Sequence, residues 1–161
     1  IERASKNINH AAVSFVLLLC IGASIIFQVY VTRQQARAIR QLEEMGARMS
    51  QNQRGELEVD MSGCDVKEML TELRYLRNVY ALDLATSNVS NTDLKDVQGL
   101  EKLQDLNLDS TGVTDDGIDH LFSMHQLRRL RLRDSLVTPS KIEKLKNAIP
   151  GLLVEHTQHQ P

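Results

Sequence analysis

The chain has 161 residues and a formal net charge of −2, with 42% hydrophobic and 25% charged residues. This length leaves room for one modest domain and a short appendage, and two cysteines, Cys20 and Cys64, are too few for a disulfide framework. Aromatic residues make up 4% of the chain and none is Trp, so aliphatic side chains must fill the core. Thin, stacked repeats suit such a composition.

An uncharged segment of 21 residues runs from Ala11 to Val31. As a helix it would extend about 30 Å, which is the thickness of the hydrocarbon core of a bilayer. A buried helix of a soluble domain and a cleaved signal segment are the alternatives, but the apolar part of a signal is usually shorter. The sequence therefore predicts an N-terminal flank over 1–10 and a transmembrane helix over 11–32, in contact with lipid.

The side of the membrane on which the rest of the chain lies depends on the flanking positive charges. Two precede the segment and four follow it, namely Arg3 and Lys6, then Arg33, Arg37, Arg40 and Arg48. Because positively charged flanks tend to remain in the cytoplasm, this count favours a single-pass membrane protein with a cytoplasmic C-terminal domain. The opposite orientation stays open, since charges upstream of Ile1 would change the count.

The next segment, residues 32–53, is rich in helix-forming residues and lacks proline. One face of such a helix is mildly apolar, with Ile39, Leu42 and Met49. We predict a helical juxtamembrane arm over 33–56 that ends at Gly55 and covers the first repeat with its apolar edge. A short dimerisation helix is the alternative.

The rest of the chain repeats with a period of 24 residues. Segments that begin at Leu82, Leu106 and Leu130 align without gaps, and a fourth, earlier segment is one residue out of step. Each unit changes from an apolar spacing of two to a spacing of three or four, which indicates a strand, a turn and a helix. One unit cannot bury its own apolar edge, so the units must stack. The sequence predicts an α/β solenoid of about four units over 57–156, followed by a polar tail over 157–161.

A small residue occupies the same place in every unit, as Cys64, Ser87, Thr111 and Ser135. We expect it to turn inward where the strand ends, so that its side chain bonds backbone groups that the turn leaves unpaired. Cys64 is accordingly predicted to be a structural residue of the core, and not a reactive thiol or a ligand.

The third unit carries the fullest pattern, with Leu103, Leu106, Leu108, Thr111, Val113, Thr114, Gly117, Ile118 and Leu121. It resembles the short bacterial leucine-rich repeats with a consensus of LxxLxLxxTxVTxxGLxxLxxL, many of them from planctomycete-like bacteria. Glu56 departs from the pattern at a leading apolar position, and Pro139 departs at a helix start, where proline is tolerated. The resemblance implies a solenoid that ends in a strand near 152–154 and binds other proteins, with no catalytic residues to carry over.

Strand residues between the buried leucines should point outward together, on the concave face of the sheet. Three columns cross this face: Glu58, Ala81, Asp105 and Arg129; Asp60, Asp83, Asn107 and Arg131; Ser62, Ala85, Asp109 and Arg133. Residues 57–126 contain 5 Lys and Arg against 14 Asp and Glu, whereas residues 127–156 contain 7 against 3. The face is therefore acidic in the early strands and basic in the last one.

We hypothesise that this face binds a protein. The candidate residues are the carboxylates Glu58, Asp60, Asp83, Asp105 and Asp109, the arginines Arg129, Arg131 and Arg133, and the apolar Leu153. Arginine pairs well with carboxylates, so the three arginines suit an acidic surface of a partner or of a second copy. An exposed apolar end at Leu153 would add a docking point. The alternative is that the charges only keep the domain soluble.

The motifs of common catalytic sites, including nucleophile elbows, phosphate loops, dinucleotide fingerprints and zinc-protease helices, are absent from the sequence. We therefore expect no enzymatic activity, no cofactor and no metal. Acidic strands, with no aromatic residues among the arginines, disfavour nucleic acid as a partner. The sequence predicts a membrane-anchored protein-interaction module with membrane-associated protein partners, and self-association stays open. An accessory subunit of a larger membrane complex and a pilin-like filament subunit are the alternatives.

Overall fold

In the computed structural model of this protein, the backbone is described for residues 2–157 and the side chains for residues 23–157. The chain divides into two units, Ile1–Arg37 and Ala38–Pro161. The first unit consists of most of one long helix, and the second contains the repeats.

Helix α1 extends over Glu2–Glu44 and includes the whole segment predicted to span a membrane. Several large apolar side chains on its described part are exposed, namely Ile25, Ile26, Phe27, Val29 and Tyr30. The side chains of residues 11–22, which make up the first half of the predicted span, lie outside the described residues. Among the residues that are described, no helix combines the length and the apolar character needed to cross a membrane.

The end of α1 corrects one prediction. The helix stops at Glu44 because Gly46 adopts a left-handed φ of 102°. The Gly46 N–H bonds to the carbonyl three residues back, and the next N–H bonds to the carbonyl five residues back, at 3.0 and 2.9 Å. This pair of bonds is the usual way in which a glycine closes a helix. The prediction that the helix continues to Gln53 and ends at Gly55 is therefore wrong.

A hairpin takes the place of the missing helical turns. Strand β1, Arg48–Gln51, pairs antiparallel with β2, Leu57–Asp60, and the Asn52 side chain closes the connecting turn by accepting two backbone N–H groups. The end of α1 still covers the first repeat, since Ala38 and Leu42 are buried in the same apolar cluster as the side chains of the repeats. The N-terminal cap is thus a helix end and one antiparallel strand.

Each repeat adds one strand to a single six-stranded sheet in the order β1 to β6, and β2 to β6 run parallel. The later strands are β3 (Val79–Asp83), β4 (Asp105–Asn107), β5 (Arg129–Arg131) and β6 (Leu153–Glu155). The helices are α2 (Met69–Leu73), α3 (Leu94–Gln98), α4 (Asp115–Ile118), which continues as a 3-10 turn over Asp119–Leu121, and α5 (Pro139–Ala148). This mixed α/β arrangement is consistent with a leucine-rich repeat-like fold, and β6 is the expected terminal strand.

The strand register reproduces the period of the sequence. Leu82, Leu106, Leu130 and Val154 are successive partners across four parallel strands, each 24 residues after the last. The three leucines are buried, and their neighbours two residues on continue the same core. Stacking therefore turns one apolar edge per unit into a continuous core, as expected for a solenoid.

The turn after each strand has a fixed conformation. One residue in each turn adopts a left-handed conformation. The φ values are 68° for Gly63, 56° for Thr86, 54° for Ser110 and 53° for Asp134. The small residue that follows is buried in three of the four units, where the hydroxyls of Ser87, Thr111 and Ser135 donate to a carbonyl three residues back at 2.7–2.9 Å. The predicted inward role of this column is confirmed, and Cys64 is half-buried against the core.

Candidate functional site: the sheet face

The sheet face is the exposed side of the sheet, formed by the predicted columns of strand residues. One row contains Glu58, Ala81, Asp105, Arg129 and Leu153, and the next contains Asp60, Asp83, Asn107, Arg131 and Glu155. The third row lies just beyond the strands, where the carbonyls of Ala85, Asp109 and Arg133 accept N–H groups from the preceding unit. The residues singled out in the sequence therefore form one contiguous surface.

Three side chains of the second row bond to their own turns. Oδ1 of Asp60, Asp83 and Asn107 accepts the N–H two residues further on, at 2.9–3.0 Å. Such bonds stabilise the turn that ends each strand. The second oxygen of Asp60 accepts from Arg48, and that of Asp83 accepts from Asn107. These carboxylates, predicted as partner-binding groups, are thus occupied within the fold.

The bonds to Asp60 also set its charge state. Partial burial by itself raises the pKa of Asp60, but hydrogen bonds from Ser62 and Arg48 outweigh that effect. The pKa of Asp60 is consequently lowered from its usual value, and the group remains a carboxylate over a wider acid range.

Asp105 holds two of the three arginines. It accepts from Arg129 directly opposite it at 3.3 Å, and from Arg131 on the diagonal at 3.0 Å. Arg131 is the more enclosed of the two, at 30% exposure against 51%, and its Nε is buried without a partner among the described residues. Burial lowers the pKa of Arg131, but the hydrogen bond and charge of Asp105 more than offset this and raise it.

Arg133 bridges two strands. Its guanidinium lies 4.0 Å from Asp109 on one side and bonds to Glu155 of β6 on the other, while its backbone N–H donates to Asp109 at 2.7 Å. The three arginines therefore do not form an open cationic fork. They connect the acidic strands to the last two strands of the sheet.

The early end of the sheet face remains acidic. Glu58 is exposed, and among the described residues it accepts only from the hydroxyl of Ser50, at 3.2 Å. Partial burial, together with the charges of Glu58, Glu56 and Asp105, raises the pKa of the Tyr80 hydroxyl. In the part of the chain that the structure describes, Arg48 is the one cation that pairs with a carboxylate of β1 to β3, so the early strands carry an excess of negative charge.

The last strand presents an apolar group. Leu153 is 64% exposed and lies beside Arg129 in the strand register. Among the described residues no strand pairs with the outer side of β6. The C-terminal end of the sheet face therefore combines an exposed leucine, a half-exposed arginine and the polar backbone of an open strand edge.

Three residues of the face were missed in the sequence. Arg48 was assigned to a helix, so its pairing with the end of β2 was not foreseen. Glu155 stands 24 residues after Arg131, so extending the second column by one repeat would have found it. Tyr80 directly precedes Ala81, a member of the first column, so including the neighbouring residue would have found it. No group of three or more His, Cys, Asp or Glu side chains in the described part of the chain could hold a metal ion.

No protein-family model and no curated protein matches the chain. Solved structures similar to it include a leucine-rich repeat protein of Leptospira interrogans, with 22% identity, a TM-score of 0.42, and coverage of 52% of this chain and 21% of that one. Internalin C2 of Listeria monocytogenes has 22% identity, a TM-score of 0.40, and coverage of 54% and 46%. The Mex67:Mtr2 subunits of Chaetomium have 17% identity, a TM-score of 0.43, and coverage of 60% and 62%. This chain thus spans less than two thirds of each, and its fold is assigned from the strand register described above.

Proposed function

We propose that this chain is a non-catalytic protein-interaction module, tethered to a membrane by α1, that binds a protein partner at the C-terminal end of the sheet face. The observation that carries the proposal is the exposure of Leu153 beside Arg129 on an open edge strand. Burying a leucine side chain contributes about 2 kcal/mol. A partner that covers Leu153 with an apolar group would gain this burial, and Arg129, which is half exposed and already bonds to Asp105, lies beside the contact.

The open edge of β6 adds a second element of recognition. Backbone N–H and C=O groups on the outer side of an edge strand can pair with an added strand, with specificity from the alternate side chains. Leu153 and Glu155 are those alternate side chains on the sheet face. This arrangement supports a partner that contributes an extended segment.

The comparison of two leucines tests this site. Leu153→Lys places a charge on the sheet face, whereas Leu136→Lys changes a leucine of similar exposure, 68%, which forms a β-bridge with Thr114 beyond the turn that follows β5. We expect the full chain, extracted in mild detergent, to retain its partners with Leu136→Lys and to lose them at least tenfold with Leu153→Lys, as measured by quantitative mass spectrometry. Equal retention by both variants would contradict the proposed site.

The membrane tether is supported by α1. Its segment from 11 to 31 carries no charged side chain, and the described apolar side chains at 25–30 are exposed along the helix. We expect the chain to resist extraction from membranes by alkaline carbonate and to dissolve in detergent. Positive charges after the segment favour repeats on the cytoplasmic side, which protease digestion of right-side-out and inverted vesicles would test. Release by carbonate alone would refute the tether.

An accessory subunit of a larger membrane complex is the second candidate. Ala23 and Ser24 lie beside the exposed apolar residues of α1, and small residues allow close helix packing in membranes. If a defined complex survives Leu153→Lys but is lost when Ala23 and Ser24 are both changed to Leu, the helix is the main contact, and the subunit reading replaces the sheet-face reading.

A further inference from the structure

A cavity of about 440 Å³, open to solvent and with exposed polar residues at its rim, lies between the first two repeat units, where the chain passes from α2 into β3 and from α3 into β4. Its apolar lining comes from the buried side chains Leu73, Leu76, Val79 and Leu100. Its polar lining consists of Arg74, Arg77, Asn78, Glu101 and Lys102. The volume falls within the range of small-molecule sites.

Positively charged side chains are concentrated at this cavity, although the surrounding sequence is mostly acidic. Residues 57–126 contain five Lys and Arg residues and fourteen Asp and Glu residues. Three of the five cations line the cavity, namely Arg74, Arg77 and Lys102. None of the three forms an ion pair with a carboxylate in the described part of the chain. With Glu101 also in the lining, three cations and one carboxylate leave a net charge of about +2 at this cavity, which is a local source of positive potential.

Two of these cations are held in place by neutral groups. The Arg74 guanidinium lies 4.9 Å from the centre of the Tyr75 ring, and Lys102 Nζ donates to Asn78 Oδ1 at 2.6 Å. Asn78 itself adopts a left-handed φ of 63°, which is uncommon outside glycine. The backbone N–H groups of Arg77 and Asn78 make no backbone hydrogen bond within the described residues. Arg74 and Arg77 form no ion pair among the described residues, and Lys102 uses one of its three N–H groups, so the lining retains side-chain donors.

The repeat pattern does not account for this arrangement. Twenty-four residues later, the positions of Arg74 and Arg77 are taken by Gln98 and Glu101. At that next junction, Gln98 donates to the Ser123 hydroxyl and another amide side chain donates to a backbone carbonyl. Neutral amide side chains thus bridge the junction between the second and third units. Of these two junctions, only the one between the first and second units has Arg at these two positions.

We propose that this cavity, the anion pocket, binds a phosphate monoester group, carried either by a small soluble molecule or by a lipid headgroup. Two guanidinium forks and one ammonium match the several oxygens of such a group, and arginine suits phosphate because it can bond two oxygens at once. Glu101 offsets one of the three positive charges, which leaves about the charge that balances a phosphate monoester at neutral pH. The site is independent of the binding surface at β6.

Binding is tested by calorimetry on the full chain in nonionic detergent. The probes are inorganic phosphate, glycerol 3-phosphate and short-chain phosphatidic acid, with short-chain phosphatidylcholine as the probe that lacks a monoester. We expect saturable binding of the phosphate probes and none of phosphatidylcholine. A preference of tenfold or more for phosphatidic acid over glycerol 3-phosphate assigns a lipid headgroup, and comparable affinity assigns a soluble ligand.

The charge-matched variants decide whether the pocket is the site. The pair Arg74→Gln and Arg77→Gln should lower affinity by roughly thirtyfold or more, because charge-assisted bonds to phosphate are lost. The control pair, Lys67→Gln and Lys95→Gln, removes the other two cations of the same acidic segment and should change affinity less than about threefold. Tyrosine fluorescence during urea unfolding shows that each variant is folded. Equal loss in both pairs, or no saturable binding of any phosphate probe, would overturn the proposal.

Discussion

Asp105 offers a sharp test of how the charges on the sheet face contribute to stability. It accepts from Arg131 at 3.0 Å and from Arg129 at 3.3 Å. The contributions of two ion pairs that share one carboxylate can therefore be compared directly. Changing Asp105→Ala removes the carboxylate that Arg129 and Arg131 share, and leaves Arg131 with only the nearby charges of Asp83 and Asp109. We expect the free energy of unfolding to fall by about 1–1.5 kcal/mol, because a charge-assisted bond is worth about 1.5–3 kcal/mol before solvent screening and both pairs are partly exposed.

The magnitude of each pair follows from its exposure. Arg131 is 30% exposed and bonds on the diagonal with good geometry, so its coupling to Asp105 should be about 1 kcal/mol. Arg129 is 51% exposed and its bond is longer, so its coupling should lie near 0.3 kcal/mol. The coupling is obtained from double-mutant cycles that combine Asp105→Ala with Arg131→Met or Arg129→Met.

The assay is urea unfolding of the full chain in mild detergent, followed by tyrosine fluorescence. Tyr75 and Tyr80 lie in the repeats, so they report on the solenoid while detergent supports α1. High salt should reduce the Arg129 coupling more than the Arg131 coupling, since exposed pairs are screened more strongly. A coupling to Arg129 that equals or exceeds that to Arg131 would refute this reasoning.

Three further predictions use the same unfolding assay. Leu106→Ala, in the middle of the buried leucine row, should lower the free energy of unfolding by about 3 kcal/mol, whereas a loss below 1 kcal/mol would mean that the site is not packed as described. Gly117→Ala should lower it by about 1–3 kcal/mol, because the added Cβ would lie 2.6 Å from Asn91 Oδ1; an unchanged midpoint would show that Asn91 moves aside freely. Since the pKa of Asp60 is lowered in the fold, its stabilisation is complete above its unfolded pKa of about 4 and is lost as the pH falls through the folded value. Asp60→Asn should therefore flatten the acid limb of the stability curve, and an unaltered limb would contradict the assigned bonds.

The register of the sheet was predictable because the repeat has no gaps. In a parallel stack, each residue meets the residue one period later, so Asp105 must lie between Ala81 and Arg129. The inward small column was predictable for the same reason, since a hydroxyl at a strand end has one nearby carbonyl to bond. The apolar end of the last unit predicts an exposed Leu153, and the strand register shows that it is also the next member of the first row.

The N-terminal cap was not predictable from propensity. Most residues of 45–53 favour helix, yet Gly46 closes α1 and Arg48–Gln51 instead pairs with β2. Tertiary pairing prevails there because the first parallel strand would otherwise present an open edge. Gly46, as a possible end of the helix, and the turn-forming residues Asn52 and Gly55 are the local signals for this arrangement.

The alignment of the repeats also does not predict which carboxylates the arginines bond to. These internal ion pairs change how the sheet face should bind a partner. A column gives the position of a Cα, but an arginine side chain is long enough to reach the preceding strand, as Arg131 does to Asp105. An acidic partner must therefore compete with internal carboxylates for Arg129, Arg131 and Arg133, so its gain from those charges is small. The exposed Leu153 has no such competitor. Binding at this end of the sheet should accordingly depend more on apolar contact than on salt concentration, which is the opposite of what an open cationic fork would produce.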